Sequence, residues 1–124
     1  MSKKKNIFRS YDIRGICPKE IDDDMAYKIG QAYVFLFRPE KIVIGRDKRD
    51  SSYDLFKALS KGINSMGCDV IDIGLATTPL FNYGVSKLKA GGGIMITASH
   101  NPSEYNGFKL TKKGSAPVSE NEIK

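Results

Sequence analysis

One serine hydroxyl in the chain has a placement that suggests reactivity rather than packing. The apolar run at residues 94–96 (Ile-Met-Ile) predicts a buried strand, and Ser99 lies in the segment 97–102 (Thr-Ala-Ser-His-Asn-Pro) that follows it. The carboxyl ends of strands in open α/β sheets form the crevice where ligands bind, and a proline restricts the loop that contains it. The pattern therefore predicts a hydroxyl presented at the edge of a sheet.

The neighbours of Ser99 favour phosphoryl transfer over hydrolysis. His100 is adjacent to Ser99, and adjacent side chains in extended backbone point to opposite sides, which disfavours a nucleophile and base pair. No G-x-S-x-G sequence surrounds the serine. A phosphorylated serine needs cations around its dianion and a group that moves protons, and Lys109, Arg14 and His100 are the candidates for these tasks.

The same residues also have purely structural explanations. Ser, Asn and Pro favour turns, so residues 99–102 can be read as a surface turn. Lys109 on an edge strand would discourage aggregation, and Arg14 would suit an ordinary loop with a salt bridge. Tyr11 either covers the serine loop or simply packs, and the residues taken singly do not separate these options.

Helical and strand patterns alternate along the chain. Apolar spacing predicts helices over residues 22–37, 51–66 and 78–88, and apolar or alternating runs predict strands at 41–45, 68–74, 94–96 and 107–111. A capping-box-like pattern opens the second helix. This alternation predicts a three-layer α/β/α domain with a mixed, mostly parallel sheet of about four to five strands, with an antiparallel strand allowed at one edge.

The chain offers few metal ligands. Cys17 and Cys68 have no metal or redox spacing and His100 is the only histidine, so a structural zinc site is excluded by ligand count. We expect both thiols to be reduced and partly buried. The three aspartates at 22–24 begin a predicted helix, where capping is favoured over a cation site because consecutive carboxylates splay apart.

Length and charge are those of one globular domain. A chain of 124 residues suffices for one core and is short for two, and 40% hydrophobic content is ordinary. No apolar stretch approaches the roughly 20 residues that span a bilayer, which predicts a cytoplasmic protein with no membrane partner.

The net charge depends strongly on the first residues of the chain. Without Lys3, Lys4 and Lys5, the chain has 17 basic and 14 acidic residues, a net charge of +3. This mild excess fits a small phosphorylated ligand at least as well as a nucleic acid, and charge alone does not decide between them. We expect no nucleic-acid partner; binding through the lysine tail would instead predict salt-sensitive DNA affinity.

Three motifs in order resemble those of the α-D-phosphohexomutases. They are residues 8–15 (Phe-Arg-Ser-Tyr-Asp-Ile-Arg-Gly), 97–102 and 105–109 (Tyr-Asn-Gly-Phe-Lys), and residues 45–52 match as well. The first motif is similar to the phosphomannomutase/phosphoglucomutase branch, since phosphoglucosamine mutases typically read F-G-T-D-G-I-R-G there. The resemblance covers almost the whole chain and corresponds to the first domain of those enzymes.

The resemblance implies a role for each matching residue. The serine at the position of Ser99 is phosphorylated, donates its phosphoryl group to a hexose monophosphate, and recovers one from the hexose 1,6-bisphosphate intermediate. Lys109 would act as general acid or base on the sugar hydroxyl, with His100 assisting in the same pocket. Arg14 would contact the phosphoserine. The net reaction would interconvert hexose 1-phosphate and hexose 6-phosphate.

Other residues of the matched motifs are expected to bind phosphate or substrate, namely Tyr11, Asn101 and Arg46. The assignment of Arg46 has a simple alternative. Arginines that follow a strand and precede a helix, such as Arg46 and Arg49, are often solvated or paired with a nearby carboxylate such as Asp47.

The resemblance also implies parts that this chain lacks. The family's Mg²⁺ is held by a phosphoserine oxygen and three aspartates of a D-G-D-x-D loop, and no such loop occurs here. Ser99 would therefore ligate Mg²⁺ through its phosphate, and alone would be insufficient. The family's sugar-recognition loop and its C-terminal phosphate-clamping segment are missing too.

These missing parts lead to an expectation about domain organisation. A capping box at 119–122 with no helix after it predicts truncation at the C-terminal end. Together with this, the resemblance implies that residues 1–124 are the single, first domain of a larger mutase. We expect negligible activity from the isolated chain. Its partners would be a phosphosugar and the remaining mutase domains, whose absence would promote self-association. The alternative is a free-standing α/β module that binds phosphorylated ligands or a partner without catalysis.

Overall fold

Eight regular elements account for most of the described part of the chain, which in this computed structural model comprises residues 12–17, 21–98 and 105–112. The elements are β1 (Asp12–Ile16), α1 (Asp23–Phe37), β2 (Lys41–Arg46), α2 (Ser52–Ser65), β3 (Asp69–Leu75), α3 (Thr78–Lys87), β4 (Gly92–Ile96) and β5 (Tyr105–Lys112). The three predicted helices and four predicted strands are all present, within a few residues of the predicted bounds. β1 was not predicted.

The strands form one mixed sheet in the order β1-β5-β4-β2-β3. β2 is parallel to both β3 and β4, whereas β5 is antiparallel to both β4 and β1. β1 to β4 therefore share one direction, and β5 runs against them. This confirms a mostly parallel sheet of five strands.

The antiparallel strand lies inside the sheet and not at its edge. β1 pairs with β5 through a register that joins Asp12 to Lys109 and Ile16 to Tyr105, so β5 has a neighbour on each side. The expectation of an antiparallel edge strand was wrong because it left β1 out. Because β5 is not an edge strand, the alternative in which Lys109 protects a sheet edge from aggregation does not hold.

The sheet is covered on both faces. On one face, alternate residues of β2 and β4 pack with α1 and α2 in a core that includes Ile44 and Ile96. On the other face, Val43 and Met95 pack with Phe81 and Val85 of α3. Strands buried on both faces have continuous apolar runs, as β2 and β4 do. The result is the predicted α/β/α arrangement.

The starts of α1 and α2 differ in whether a side chain caps the helix. Asp22 caps α1, because its carboxylate accepts a hydrogen bond from the Met25 amide at 2.8 Å, and this confirms the capping interpretation of the aspartates. Ser51 precedes α2, but its side chain makes no capping hydrogen bond. Within the described residues, none of the helices is both long and apolar enough to cross a bilayer.

Close contact between α1 and α2 depends on two glycines. A Cβ at Gly30 would lie 2.6 Å from the Leu59 carbonyl oxygen, and a Cβ at Gly62 would overlap the Tyr27 carbonyl oxygen. Side chains at these positions would force the two helix backbones apart. The two glycines therefore allow the short distance between α1 and α2, the helices that cover the first face of the sheet.

We predict that Gly62→Ala lowers the free energy of unfolding by about 2 kcal/mol, since overpacking outweighs the gain of up to about 1 kcal/mol in helix propensity. The matched control is Gly84→Ala in α3, where the added Cβ would meet Ile73 Cδ1 at an ordinary 3.8 Å. The control is expected to be neutral or stabilising. Urea unfolding followed by circular dichroism measures both, and equal effects would contradict the role of Gly62.

Candidate functional site

The carboxyl ends of β2 and β4 and the beginning of β5 meet at one edge of the sheet. Because β5 is antiparallel to β4, Ile96 lies opposite Phe108, and the Thr97 amide donates to the Gly107 carbonyl at 2.9 Å. The segment 99–104 connects these strands and lies outside the described residues. Its two flanks are described, and we call residues 96–98 the first stem and residues 105–107 the second stem.

The carboxylate of Asp47 holds the first stem. It accepts a hydrogen bond from the Thr97 hydroxyl at 2.8 Å, and the Asp47 amide donates to the Ile96 carbonyl at 3.0 Å. The same carboxylate accepts from the Ser52 hydroxyl at 2.7 Å and from Arg49 Nε at 2.9 Å. One carboxylate thus joins the end of β2, the start of α2 and the end of β4.

Arg49 and Asn106 hold the second stem. Arg49 Nη1 donates to the Tyr105 carbonyl at 3.2 Å. The Asn106 side-chain amide donates to the hydroxyls of Ser51 at 2.8 Å and Ser52 at 3.0 Å. The Asn106 side-chain oxygen accepts from the Gly107 amide at 2.9 Å. Both stems are therefore attached to the segment 47–52.

We call these polar residues the stem cluster: Asp47, Arg49, Ser51, Ser52, Thr97 and Asn106. Three of them, Ser52, Thr97 and Asn106, are buried. The sequence pattern indicates Asp47 only as an ion-pair partner and predicts no role for Thr97 or Asn106. The sequence does contain a signal for such a cluster, because β2 is followed closely by a carboxylate, a guanidinium and two hydroxyls, at residues 47–52. Polar groups of this kind need hydrogen-bond partners when the strand end is buried.

The alternative interpretation of the two arginines holds for Arg49, which pairs with Asp47. Arg46 instead has its Nη1 at 3.2 Å from Asp72 Oδ1. Its guanidinium carbon also lies 5.3 Å from the centre of the Tyr53 ring and 5.0 Å from that of Phe56. The phosphate-binding role of Arg46 stays a prediction.

The predicted cationic residues lie on neighbouring strands near the second stem. Lys109, which is half-buried, pairs with Met95 of β4 and Asp12 of β1. The backbone of Arg14 pairs with that of Gly107, two residues from Lys109. Directly opposite residues in antiparallel strands have Cα atoms about 5 Å apart. Lys109 is thus two residues from Gly107 along β5, and Arg14 lies opposite Gly107 on β1, so both positions are close to the second stem.

Four further predicted site residues fall on parts of the chain that the structure does not describe. These residues are Tyr11, Ser99, His100 and Asn101. Their predicted roles stay predictions. The described flanks are the carboxyl end of β4 and the start of the antiparallel β5, and both lie at the edge where the parallel strands end, the edge at which ligands bind in open α/β sheets.

A cavity of about 500 Å³ lies beside the start of α2. Its lining includes Cys17, Ser51 and four aspartates, Asp22, Asp23, Asp24 and Asp54. Burial raises the pKa of the Cys17 thiol, and the carboxylates of Asp23, Asp22 and Asp54 raise it further. Within the described ranges no group of three or more His, Cys, Asp or Glu side chains has an arrangement that could hold a metal ion.

Comparison with known proteins assigns the chain to a family. Residues 5–124 match the family described as phosphoglucomutase/phosphomannomutase, alpha/beta/alpha domain I. The chain is 44% identical over 117 residues to a phosphomannomutase of Escherichia coli strain K12, a match covering 94% of this chain and 26% of that protein. It is 46% identical over 112 residues to a phosphomannomutase of Klebsiella pneumoniae, a match covering 90% of this chain and 71% of that protein.

A solved structure has the same fold. The crystal structure of a phosphoglucomutase/phosphomannomutase family protein from Burkholderia thailandensis superimposes with a TM-score of 0.87 at 35% sequence identity. That match covers 96% of this chain and 28% of the other. The chain thus spans about a quarter of the length of the Escherichia coli and Burkholderia relatives.

We predict that both thiols are alkylated by iodoacetamide at pH 8 more slowly in the folded protein than in urea. Burial raises the pKa of Cys17 and of Cys68, so the folded protein holds less of the reactive thiolate at a given pH. Asp23→Asn is expected to speed alkylation of Cys17 and to leave Cys68 unchanged, which makes Cys68 the internal control. Peptide mass spectrometry measures both rates, and equal rates for Cys17 folded and unfolded would refute the prediction.

Proposed function

Because the chain belongs to the phosphoglucomutase/phosphomannomutase family as its α/β/α domain I, we propose that it carries the phosphoryl group of a phosphohexomutase on Ser99. The observation that carries the proposal is the attachment of both flanks of the Ser99 segment to the stem cluster, at the edge where the parallel strands β2 and β4 end. Flanks that are held in this way suit a segment whose reacting group must meet a substrate in a fixed geometry.

The proposed reaction has two transfers. A hydroxyl oxygen of a hexose monophosphate attacks the phosphorus on Ser99, the bond between phosphorus and the serine oxygen breaks, and the hydroxyl proton passes to a base. The serine oxygen then attacks the phosphorus of the other phosphoryl group of the resulting hexose 1,6-bisphosphate, the bond between that phosphorus and the sugar oxygen breaks, and the sugar oxygen takes back the proton held by the base. The products are an isomeric hexose monophosphate and a rephosphorylated Ser99.

Cationic residues are assigned to the charge and the proton in this scheme. Arg14 would neutralise the phosphoserine dianion, since a guanidinium is permanently charged and binds phosphate oxygens in pairs. Lys109 would exchange the proton of the sugar hydroxyl, with His100 assisting. The pairing of β1 with β5 brings the backbone of Arg14 opposite Gly107, two residues from Lys109. This proximity supports the roles proposed for Arg14 and Lys109.

The family's Mg²⁺ does not fit the described residues by themselves, because none of their acidic, histidine or cysteine side chains form a metal-binding group. A phosphate on Ser99 would supply one ligand in the proposal, and the remaining ligands would come from other domains. We derive no reaction step through the metal. Hexose 1,6-bisphosphate is the activator we propose, since it can phosphorylate Ser99.

We predict that Ser99→Ala, in the mutase that contains this chain with its remaining domains, lowers turnover by roughly three orders of magnitude or more, because no hydroxyl is left to carry the phosphoryl group. The control is Ser86→Ala at an exposed position of α3, which should leave turnover unchanged. Phosphopeptide mapping after incubation with glucose 1,6-bisphosphate should find phosphate on Ser99.

Two outcomes would redirect the proposal. A mutase without phosphate on Ser99, and with normal turnover in the alanine variant, would exclude the phosphoserine mechanism. If instead the 124-residue chain binds the bisphosphate but restores no turnover when mixed with the separately produced remaining domains, the free-standing binding module is favoured. We expect the chain alone to be inactive and the mixture to be active.

The remaining domains of the mutase are the partner we propose for an exposed apolar surface. It comprises Leu75 at the end of β3 and Leu80 and Tyr83 of α3, whose side chains are 65%, 54% and 61% exposed. Leu80 and Tyr83 are three residues apart and share a helix face. Leu75 pairs with Arg46 at the carboxyl edge of the sheet, so the surface begins beside the candidate site.

We predict that the isolated chain self-associates through this surface and that the double substitution Leu80→Ser and Tyr83→Ser makes it monomeric. Exposed apolar area is the driving force. The control carries Phe35→Ser and Leu36→Ser on α1, also exposed, and should associate as the parent chain does. Sedimentation velocity over a range of concentrations measures the effect. A parent chain that stays monomeric throughout would contradict this assignment.

A further inference from the structure

We propose that Asp47 is a positioning residue, which fixes the two stems from which Ser99 is presented without touching the substrate. This inference rests on the proposed function only for its effect on turnover. The structural part concerns the described stems alone. A role for Asp47 beyond an ordinary ion pair follows from what its carboxylate joins.

The carboxylate connects both stems to one point. Its Oδ2 accepts from the Thr97 hydroxyl of the first stem at 2.8 Å and from Arg49 Nε at 2.9 Å. Arg49 in turn donates to the Tyr105 carbonyl of the second stem at 3.2 Å. Asp47 therefore reaches the first stem directly and the second through a single side chain.

A second route runs through α2. Asp47 Oδ1 accepts from the Ser52 hydroxyl at 2.7 Å, and Ser52 accepts from the buried side-chain amide of Asn106 at 3.0 Å. Because Ser52 is buried, water does not readily replace these partners. The two routes fix the stems relative to each other.

The chemistry of the site requires a carboxylate. Arg49 donates to both carboxylate oxygens, from its backbone amide to Oδ1 at 3.2 Å and from its Nε to Oδ2 at 2.9 Å, and neither group can accept a hydrogen bond. An asparagine has one acceptor oxygen and one donor nitrogen, so one of its atoms would face the wrong kind of partner. The Arg49 and Asp47 side chains are 12% and 22% exposed, so solvent compensates little of this loss.

Three variants of the mutase that contains this chain test the inference. Asp47→Asn keeps the size of the side chain and removes the second acceptor. Thr97→Val removes one donor from the first stem and keeps its shape. Thr97→Ser restores that donor, and is the conservative variant expected to recover the lost function.

Two readouts separate positioning from general stability. We expect Asp47→Asn and Thr97→Val to lower kcat by about 10-fold to 100-fold with KM within about twofold, as for a misplaced reacting group. Hydrogen exchange at the amides of Thr97 and Gly107 should accelerate, whereas exchange in α3 at Val85 should not change. A merely structural role would accelerate exchange in both regions or lower the folded fraction without changing kcat per folded molecule.

Each outcome decides one claim. If Ser99 is phosphorylated in the parent enzyme, and both variants keep parental kcat and stem exchange, the inference about Asp47 is wrong. If Ser99 is never phosphorylated but exchange at the stems still accelerates, the proposed function fails and the anchoring role of Asp47 stands. If Asp47→Asn does not fold, Thr97→Val and its serine counterpart decide the question.

Discussion

A carboxylate withdrawn from water needs a complete set of donors, and in this protein that need organises one edge of the sheet. Asp47 lies only 22% exposed at the end of β2, where a buried charge without partners would be costly. Its donors come from the following turn, from the start of α2 and from the end of β4. The hydrogen bonds to this one charged group therefore hold together elements that are distant in sequence.

The direction of β5 complements this constraint. A strand antiparallel to β4 begins where β4 ends, so the segment between them leaves and re-enters the sheet at the same edge. A parallel strand would have required a crossover to the opposite edge. The antiparallel pairing thus keeps the Ser99 segment short, and β1, paired on the far side of β5, brings the residue 14 position to the same region.

Local patterns predicted the helices and β2 to β5 because their apolar periodicity agrees with their burial in the final fold. β1 escaped prediction because Asp12, Arg14 and Gly15 lack strand propensity, and pairing with β5 overrides that local preference. The pairing of Arg49 with Asp47 joins residues two positions apart and was an alternative that the sequence offered, whereas the pairing of Arg46 with Asp72 joins residues 26 positions apart and is not encoded by local spacing. Ser51 precedes α2 as expected, yet its hydroxyl serves Asn106 of β5 instead of the helix.

β3 ends the sheet, and within the described residues its outer side has no partner strand. An unpaired strand edge is a template on which further strands can add, one molecule after another. Asp69 and Asp72 are exposed along β3, and Asp72 is paired with Arg46. In-register addition of a second β3 would bring the Asp69 carboxylates of the two copies close together, and this repulsion disfavours extension of the sheet at that edge.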